Sequence, residues 1–206
     1  MLLAHKPKVF IGQPNKGDVK WNTMASLFST LSVATYQTAL LGQNGTVVDY
    51  GRNVICKMAL EHEATHVCFI DTDMTFPADT INRLLELKKT VVGVASRKKK
   101  LPLQYTIEVD EPVGARGITD EELPKEPFSR IGGDPILVGT GVMLIDLQKV
   151  NGIVAKPWFL FGTFWNDEDV GYTGEDIYFC RKVWKAGLEV WCDPTIPIKH
   201  IGDYEY

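Results

Sequence analysis

The sequence predicts an α/β fold, an open, twisted, mostly parallel sheet with helices on both faces. Two observations carry this expectation. Short apolar runs rich in Val, Ile and Phe alternate along the first hundred residues with longer segments whose apolar residues recur at helical spacing. Strands separated by helices of ten or more residues imply parallel crossovers and a helix-covered sheet. Clusters of Gly, Pro and Asn mark the boundaries between the segments. In such sheets ligands bind beyond the carboxyl ends of the strands, so functional residues are sought in the loops there.

Lys8 to Gly12 reads as a buried strand, feeding a loop marked by Pro14, Asn15 and Gly17. From Asn22 to about Leu41 the residues Met24, Leu27, Phe28, Leu31 and Thr35 recur at helical spacing, and the stretch from Gly42 to Gly45 supplies a stop. Thr46 to Asp49 then reads as a strand, and Arg52 to Glu63 as a helix with Val54, Ile55, Met58 and Ala59 inward. His66 to Ile70 is an apolar strand ending in Asp71, Thr72 and Asp73. Pro77 opens a helix carrying Ile81, Leu84, Leu85 and Lys88, and Thr90 to Ala95 is the next strand.

The character changes after Leu103. Gln104 to Val109 alternates like an exposed strand, and residues 110–133, rich in Pro, Gly and charge, read as a surface excursion. Ile136 to Ile145 returns as a buried strand pair interrupted by Gly139 and Gly141. An aromatic segment from Pro157 to Trp165 precedes a helix from Glu175 to about Ala186, capped by Gly187, and a strand from Leu188 to Cys192. With no internal repeat and no linker in view, residues 1–206 are expected to form one domain.

Composition excludes several classes. The 206 residues are 45% hydrophobic, 23% charged and 10% aromatic, with a mean hydropathy of -0.06, which is ordinary for a globular chain and unlike disordered or fibrous ones. A chain of this length buries roughly 70% of its unfolded surface without a metal or disulfide staple. No window approaches a membrane span and the first residues lack a secretory pattern, so a cytoplasmic address is expected. The net charge of -4 argues against a dedicated binder of nucleic acid or anionic lipid. One basic run, Arg97 to Lys100, dissents; it reads either as a solvated loop or as a contact for a negatively charged ligand. Cys56, Cys68, Cys180 and Cys192 lie in apolar stretches without C-x-x-C spacing and read as buried free thiols.

Candidate chemistry concentrates at strand ends. Asp71 and Asp73, two apart after a buried strand, can point to one side and suit a hard divalent cation shared with a phosphate, although a turn between strand and helix uses Asp as well. Between Pro157 and Cys180 there is no Lys or Arg, while Asp167, Glu168, Asp169, Glu175 and Asp176 all fall there. Glu175 and Asp176 are explained by the first turn of a helix, whose dipole favours acids, and equally stand where a general base would. His200, on an apolar strand, is either a hydrogen-bonded core residue or a ligand. Gly139, Thr140 and Gly141 mark close approach of the backbone to a strand or a ligand. Trp158, Phe159, Phe161, Phe164, Trp165 and Tyr172 read as core or as a stacking platform.

Taken together, Asp71-Thr72-Asp73 at a strand end, Gly139-Thr140-Gly141, Gly174-Glu175-Asp176 opening a helix and a C-terminal His200 resemble, in order and spacing, the nucleotide-sugar glycosyltransferases of the GT-A fold. The likeness runs from Val9 to His200, and the stretch from Arg52 to Pro77 looks like small single-domain phage or bacterial members. The resemblance implies a Rossmann-like αβα sandwich, with about 1–100 as the nucleotide-binding half and about 101–206 as the acceptor half. It implies Mn2+ or Mg2+ held by Asp71, Asp73 and His200, with Asp73 a direct ligand and Asp71 nearer the ribose. Pro14, Asn15 and Arg52 would meet the donor, a nucleoside diphosphate sugar and most simply a UDP-sugar, and Gly139, Thr140 and Gly141 would face donor and acceptor. Asp176 matches the base of inverting enzymes, beside Glu175. The acceptor hydroxyl could belong to a saccharide, a protein or a hydroxymethylated DNA base. Two other readings stay open: a nucleotidyltransferase, for which Gln13 to Gly17 makes a poor phosphate loop, and a non-catalytic carbohydrate-binding module with calcium and stacking aromatics.

Overall fold

The computed structural model describes residues 6–15, 17–45, 47–99, 103–112, 114–165 and 170–202. In chain order the elements are β1 (Lys8–Asn15), α1 (Trp21–Val33), β2 (Gln37–Asn44), α2 (Val48–Glu61), β3 (His66–Ile70), β4 (Met74–Thr75), α3 (Thr80–Glu86) and β5 (Val91–Val94). They continue with β6 (Ile107–Glu111), β7 (Gly114–Gly117), β8 (Arg130–Ile131), β9 (Asp134–Val138), β10 (Val142–Asp146) and α4 (Leu147–Val150). The last are β11 (Gly162–Trp165), β12 (Val170–Thr173), α5 (Glu175–Lys185), β13 (Val190–Asp193) and β14 (Lys199–His200).

The expected α/β sandwich is present. Six strands form the main sheet in the order β13-β5-β10-β3-β1-β2. All run parallel except β10, which is antiparallel to both β3 and β5. Strands buried on both faces run nearly continuously apolar, and β3, β5 and β10 do so apart from His66 at the start of β3 and Asp146 at the end of β10. One face carries Val9, Ile11, Cys68, Ile70, Val92 and Leu144 under Leu27 of α1 and Ile81 and Leu84 of α3. The other carries Phe10, Val67, Phe69 and Met143 under Ile55 and Ala59 of α2 and Phe179 and Val183 of α5.

Three local expectations are corrected. The helix expected from Asn22 to Leu41 ends at Val33, because the chain turns extended at Ala34 (φ -61°, ψ 126°) and enters β2. The apolar residues of 37–41 alternate rather than recur: Ala39 and Leu41 pack toward α2 while Leu40 faces the other way. Of the strand expected at Thr46 to Asp49, Val47 is the N-cap of α2 and Val48 and Asp49 begin the helix, whose buried face is Gly51, Arg52, Ile55, Cys56 and Ala59, while Thr46 lies outside the described residues. The excursion 110–133 is partly ordered as sheet: β7, β6, β9 and β8 form a second, antiparallel sheet, which packs its inner residues Ile107, Val109, Ile136 and Val138 into the core beside α5.

Glycine permits the tight layer spacing at two places. A Cβ on Gly12 of β1 would lie 2.5 Å from Ile55 Cγ2, and one on Gly93 of β5 would lie 2.5 Å from Val138 Cγ1. All four cysteines are buried and free, and burial pushes the Cys68 and Cys180 thiols up to about 12. No helix among the described residues is long and apolar enough to cross a membrane.

Candidate functional site

A cleft of about 860 Å3 opens at the carboxyl ends of β1, β2 and β3. Pro14, Arg52, Asp71, Asp73 and His200, five residues singled out in the sequence, line it together. Its far wall is made by Gln43 and Asn44 at the end of β2 and by Tyr50 on α2, with Lys20 at the mouth.

β3 ends at Ile70, so Asp71 to Asp73 is a turn between β3 and β4 rather than strand, and its two carboxylates have separate neighbours. Asp73 is fixed from the C-terminal end of the chain. β14 pairs antiparallel with β4, His200 opposite Met74, and the Ile201 amide donates to the Asp73 carbonyl at 2.7 Å. This ribbon brings His200 Nε2 to 3.2 Å from Asp73 Oδ1. The other ring nitrogen, Nδ1, lies 3.1 Å from the Arg97 carbonyl oxygen. A carbonyl only accepts, so Nδ1 carries hydrogen and Nε2 is the nitrogen turned to the carboxylate. Lys99 Nζ pairs with Asp73 Oδ2. Burial works against ionisation of Asp73, but the hydrogen bonds from His200 and Lys99 outweigh it and hold the carboxyl at about 2.

Asp71 belongs to a different cluster. Its amide donates to the Gly141 carbonyl at 3.0 Å, and its Oδ1 accepts from Arg52 Nη2 at 3.0 Å. Arg52 reaches it from the inner face of α2 and is only 3% exposed, its guanidinium 5.5 Å from the Phe69 ring centroid and 6.0 Å from that of Phe159. Arg52 Nε lies 3.4 Å from Glu175 Oε1, an ion pair without hydrogen-bond geometry, and the buried Nη1 has no hydrogen-bond partner among the described residues. Burial raises the Asp71 and Glu175 carboxyls above the usual range, against the pull of the Arg52 cation. Glu175 is therefore a buried counter-charge to Arg52. Asp176, next on the first turn of α5, is less enclosed, and its Oδ1 accepts from the Ile177 amide at 2.8 Å.

Gly139, Thr140 and Gly141 join β9 to β10. Gly139 donates to the Thr106 carbonyl at 2.9 Å, and a Cβ there would meet Thr106 Cβ at 2.9 Å. A Cβ on Gly141 would press Met74 at 3.4 Å. The close approach is thus to protein, and this segment touches the site through the carbonyl that holds Asp71. Thr140 is buried. In the basic run, Arg97 pairs with Asp120 at 2.8 Å, Lys98 with Glu108 at 3.0 Å, and Lys99 with Asp73. Trp158 and Phe159 are core, while Phe161 is exposed. Lys100, Asp167, Glu168 and Asp169, and the side chains of Asn15, Phe164, Trp165 and Tyr172, lie outside the described residues.

Sequence reasoning missed Lys99 as a neighbour of Asp73 and missed Lys20, Gln43 and Tyr50 as cleft residues. Lys99 follows the carboxyl end of β5, and Gln43 ends β2, so the strand-end rule would have found both once those strands were placed. No group of three His, Cys, Asp or Glu side chains suited to a metal occurs among the described residues; Asp73 and His200 make a pair.

No protein-family model and no curated protein sequence matches the chain. Solved structures do. A197 from STIV aligns over 95% of this chain and 86% of that one at 16% identity, with a TM-score of 0.62. Looser matches include HddC from Yersinia pseudotuberculosis (10% identity over 94% of this chain and 72% of that one, TM-score 0.41). Another is a glycosyltransferase involved in the glycosylation of the major capsid of PBCV-1 (11% identity over 74% of this chain and 70% of that one, TM-score 0.37). At these identities the likeness is one of fold: the chain shares the α/β architecture of A197.

Proposed function

We propose that the protein is a metal-dependent glycosyltransferase that moves a sugar from a nucleoside diphosphate, a UDP-sugar, to an acceptor hydroxyl with inversion. The observation that carries the reading is the pairing of Asp73 with His200 in the cleft at the strand ends. His200 Nδ1 is bound to a backbone carbonyl, as the non-ligating nitrogen of a metal-bound histidine is, and a bound cation would take the place of the hydrogen that Nε2 shares with the Asp73 carboxylate. A carboxylate oxygen and an imidazole suit Mn2+, and also Mg2+, with the remaining positions left to diphosphate and water. When bound, the cation supplies positive charge to the leaving diphosphate.

The chain's own residues would do the rest. The cleft volume falls in the range of small-molecule sites, about 300–1,000 Å3. Pro14, Gln43 and Tyr50 frame the end away from the metal pair, where a base would lie. Arg52 lines the cleft, and its buried Nη1, without a hydrogen-bond partner among the described residues, is a donor that a bound nucleotide would satisfy. Glu175 holds Arg52 in place, and Asp176, the more open of the two acids, is the base that takes the proton of the acceptor hydroxyl. A saccharide or protein acceptor is favoured over DNA, because Arg97, Lys98 and Lys99 are each engaged by a carboxylate. A cytoplasmic setting suits four unpaired cysteines.

The test is thermal unfolding with UDP, GDP or a control nucleotide, with and without Mn2+, for the wild type, Asp73→Ala and His200→Ala. At about 100 times its dissociation constant a nucleotide adds about 2.7 kcal/mol, a rise of roughly 5–10 °C at this size. UDP should stabilise the wild type only with Mn2+, and neither variant should respond. A response that survives both substitutions removes the metal pair from the reading. A product that retains the donor's anomeric configuration by proton NMR removes Asp176 as base.

A further inference from the structure

The 28 residues from Trp21 to Val48 contain no Asp, Glu, Lys, Arg or His, where the chain's 23% charged fraction would give about six. They form α1 and β2, which together make one end of the molecule. Well-exposed surface is ordinarily about a quarter to a third charged. Here it carries Trp21, Phe28 and Leu40 at 77%, 60% and 48% exposure, with Leu31 also exposed.

These side chains share one side. Thr23, Leu27 and Thr30 point α1 at the sheet. The flank bearing Ser26 and Val33 faces β4 and α3: Ser26 Oγ accepts from the Phe76 amide at 3.2 Å, and Asn82 donates to the Val33 carbonyl at 2.9 Å. At 3.6 residues per turn the opposite flank is Leu31, Met24, Phe28 and Trp21 in angular order. That flank overlooks β2, where Leu40 is paired with the buried Ile11 and stands on the same face of the sheet.

β2 also has a free edge: among the described residues no strand pairs with its outer side. The Gln37 amide donates to the Pro7 carbonyl on the β1 side, so in this parallel pair the backbone groups of Thr38, Leu40, Gly42 and Asn44 point outward. The strand is eight residues long and in unbroken register with β1, and it has neither the charge nor the Pro nor the bulge with which proteins blunt an exposed edge.

We propose that this face binds a second copy of the chain, β2 pairing antiparallel with β2 across a two-fold axis to give a continuous twelve-stranded sheet. In an isologous contact a patch meets itself, so any charge at its centre would face its own like; a charge-free patch with a free strand edge avoids that repulsion and supplies matched donors and acceptors. A membrane surface fits less well, because interfacial helices hold anionic lipid with Lys and Arg and this one has none. The face is about 27 Å long and roughly 20–25 Å tall, about 540–675 Å2 per partner, at the low end of the roughly 600–1,000 Å2 of specific interfaces.

Sedimentation velocity of the full chain from 1 to 100 µM, beside Leu40→Lys and Phe28→Glu, tests this. The wild type should sediment at twice the 23.1 kDa chain mass, and each variant should weaken the dimer at least 100-fold while keeping the wild-type circular dichroism spectrum. Both positions are exposed in the monomer, so folding survives the changes. A monomeric wild type at 100 µM overturns the proposal, as does a dimer that both variants leave intact. So does a monomer that co-sediments with phosphatidylcholine vesicles through Phe28, which gives the face to lipid.

Discussion

Replacing Arg52 by Met tests the logic of the site most directly. The guanidinium is ion-paired with both Asp71 and Glu175, 3.0 and 3.4 Å away, and it sits against two phenyl rings that a Met side chain can also contact. Removing one partner of a buried ion pair costs about 3–5 kcal/mol, because the remaining charge is left uncompensated. The Asp71 side chain is 31% exposed, so water shares its charge and the lower end applies. The expected loss is about 3 kcal/mol, a fall in Tm of roughly 6–12 °C for a chain of this length. Urea denaturation of R52M, R52M/E175Q and R52M/E175Q/D71N reads it. Each carboxylate neutralised in the R52M background should restore stability, with the triple variant near wild type. A loss in R52M below about 1 kcal/mol, or a double variant no more stable than R52M, would refute the view of Glu175 as counter-charge and leave its burial unexplained.

Gly93→Ala places a methyl 2.5 Å from Val138 Cγ1 and should cost about 1–3 kcal/mol in thermal unfolding, with part regained in G93A/V138A. If G93A melts as the wild type does, the layer spacing is looser than described. The four thiols should be silent to Ellman's reagent in the native protein and all react in guanidinium chloride, since burial encloses each one; a fast native thiol contradicts that. Burial holds the His66 imidazole below its ordinary value, partly offset by Asp146. The unfolded chain then binds a proton that the folded one refuses, so stability should be full above about pH 6.5 and fall below it. His66→Asn should lose less over that window, and an identical slope in both proteins counts against it.

The strand-and-helix alternation was legible because buried strands such as His66 to Ile70 and Val91 to Val94 are apolar on both faces and carry an unambiguous signal. β2 was not. Its burial alternates exposed and half-buried at the sheet edge, its sequence lacks the β-branched run that marks a strand, and the uncapped α1 before it has a misleading apolar flank. Missing β2 displaced the next expected strand onto the start of α2. In the site, Asp73 and His200 could be named individually because strand-end acids and a lone histidine are visible in one dimension. That they meet depends on β14 folding back on β4, across more than a hundred residues, which local pattern does not encode. Glu175 and Asp176 are neighbours with the same sequence signal, and only the position of Arg52 on the inner face of α2 separates a buried partner from an open acid.

The reversed direction of β10 has a consequence for how the chain acquires its shape. Within the sheet β10 lies between β3 and β5, and no other strand bridges them. The ribbon β2-β1-β3 can pair as soon as residue 70 is made, and β5 must wait with both edges open until residues 142–146 arrive, and with one open until 190–193. A chain emerging from the ribosome therefore holds a three-stranded ribbon and an unpaired β5 until about two thirds of it exists, and joining them takes contacts distant in sequence, the kind that slow folding. The segment that knits the sheet is also the one whose Gly141 carbonyl holds Asp71, so the cleft cannot take form before β10 joins the two parts.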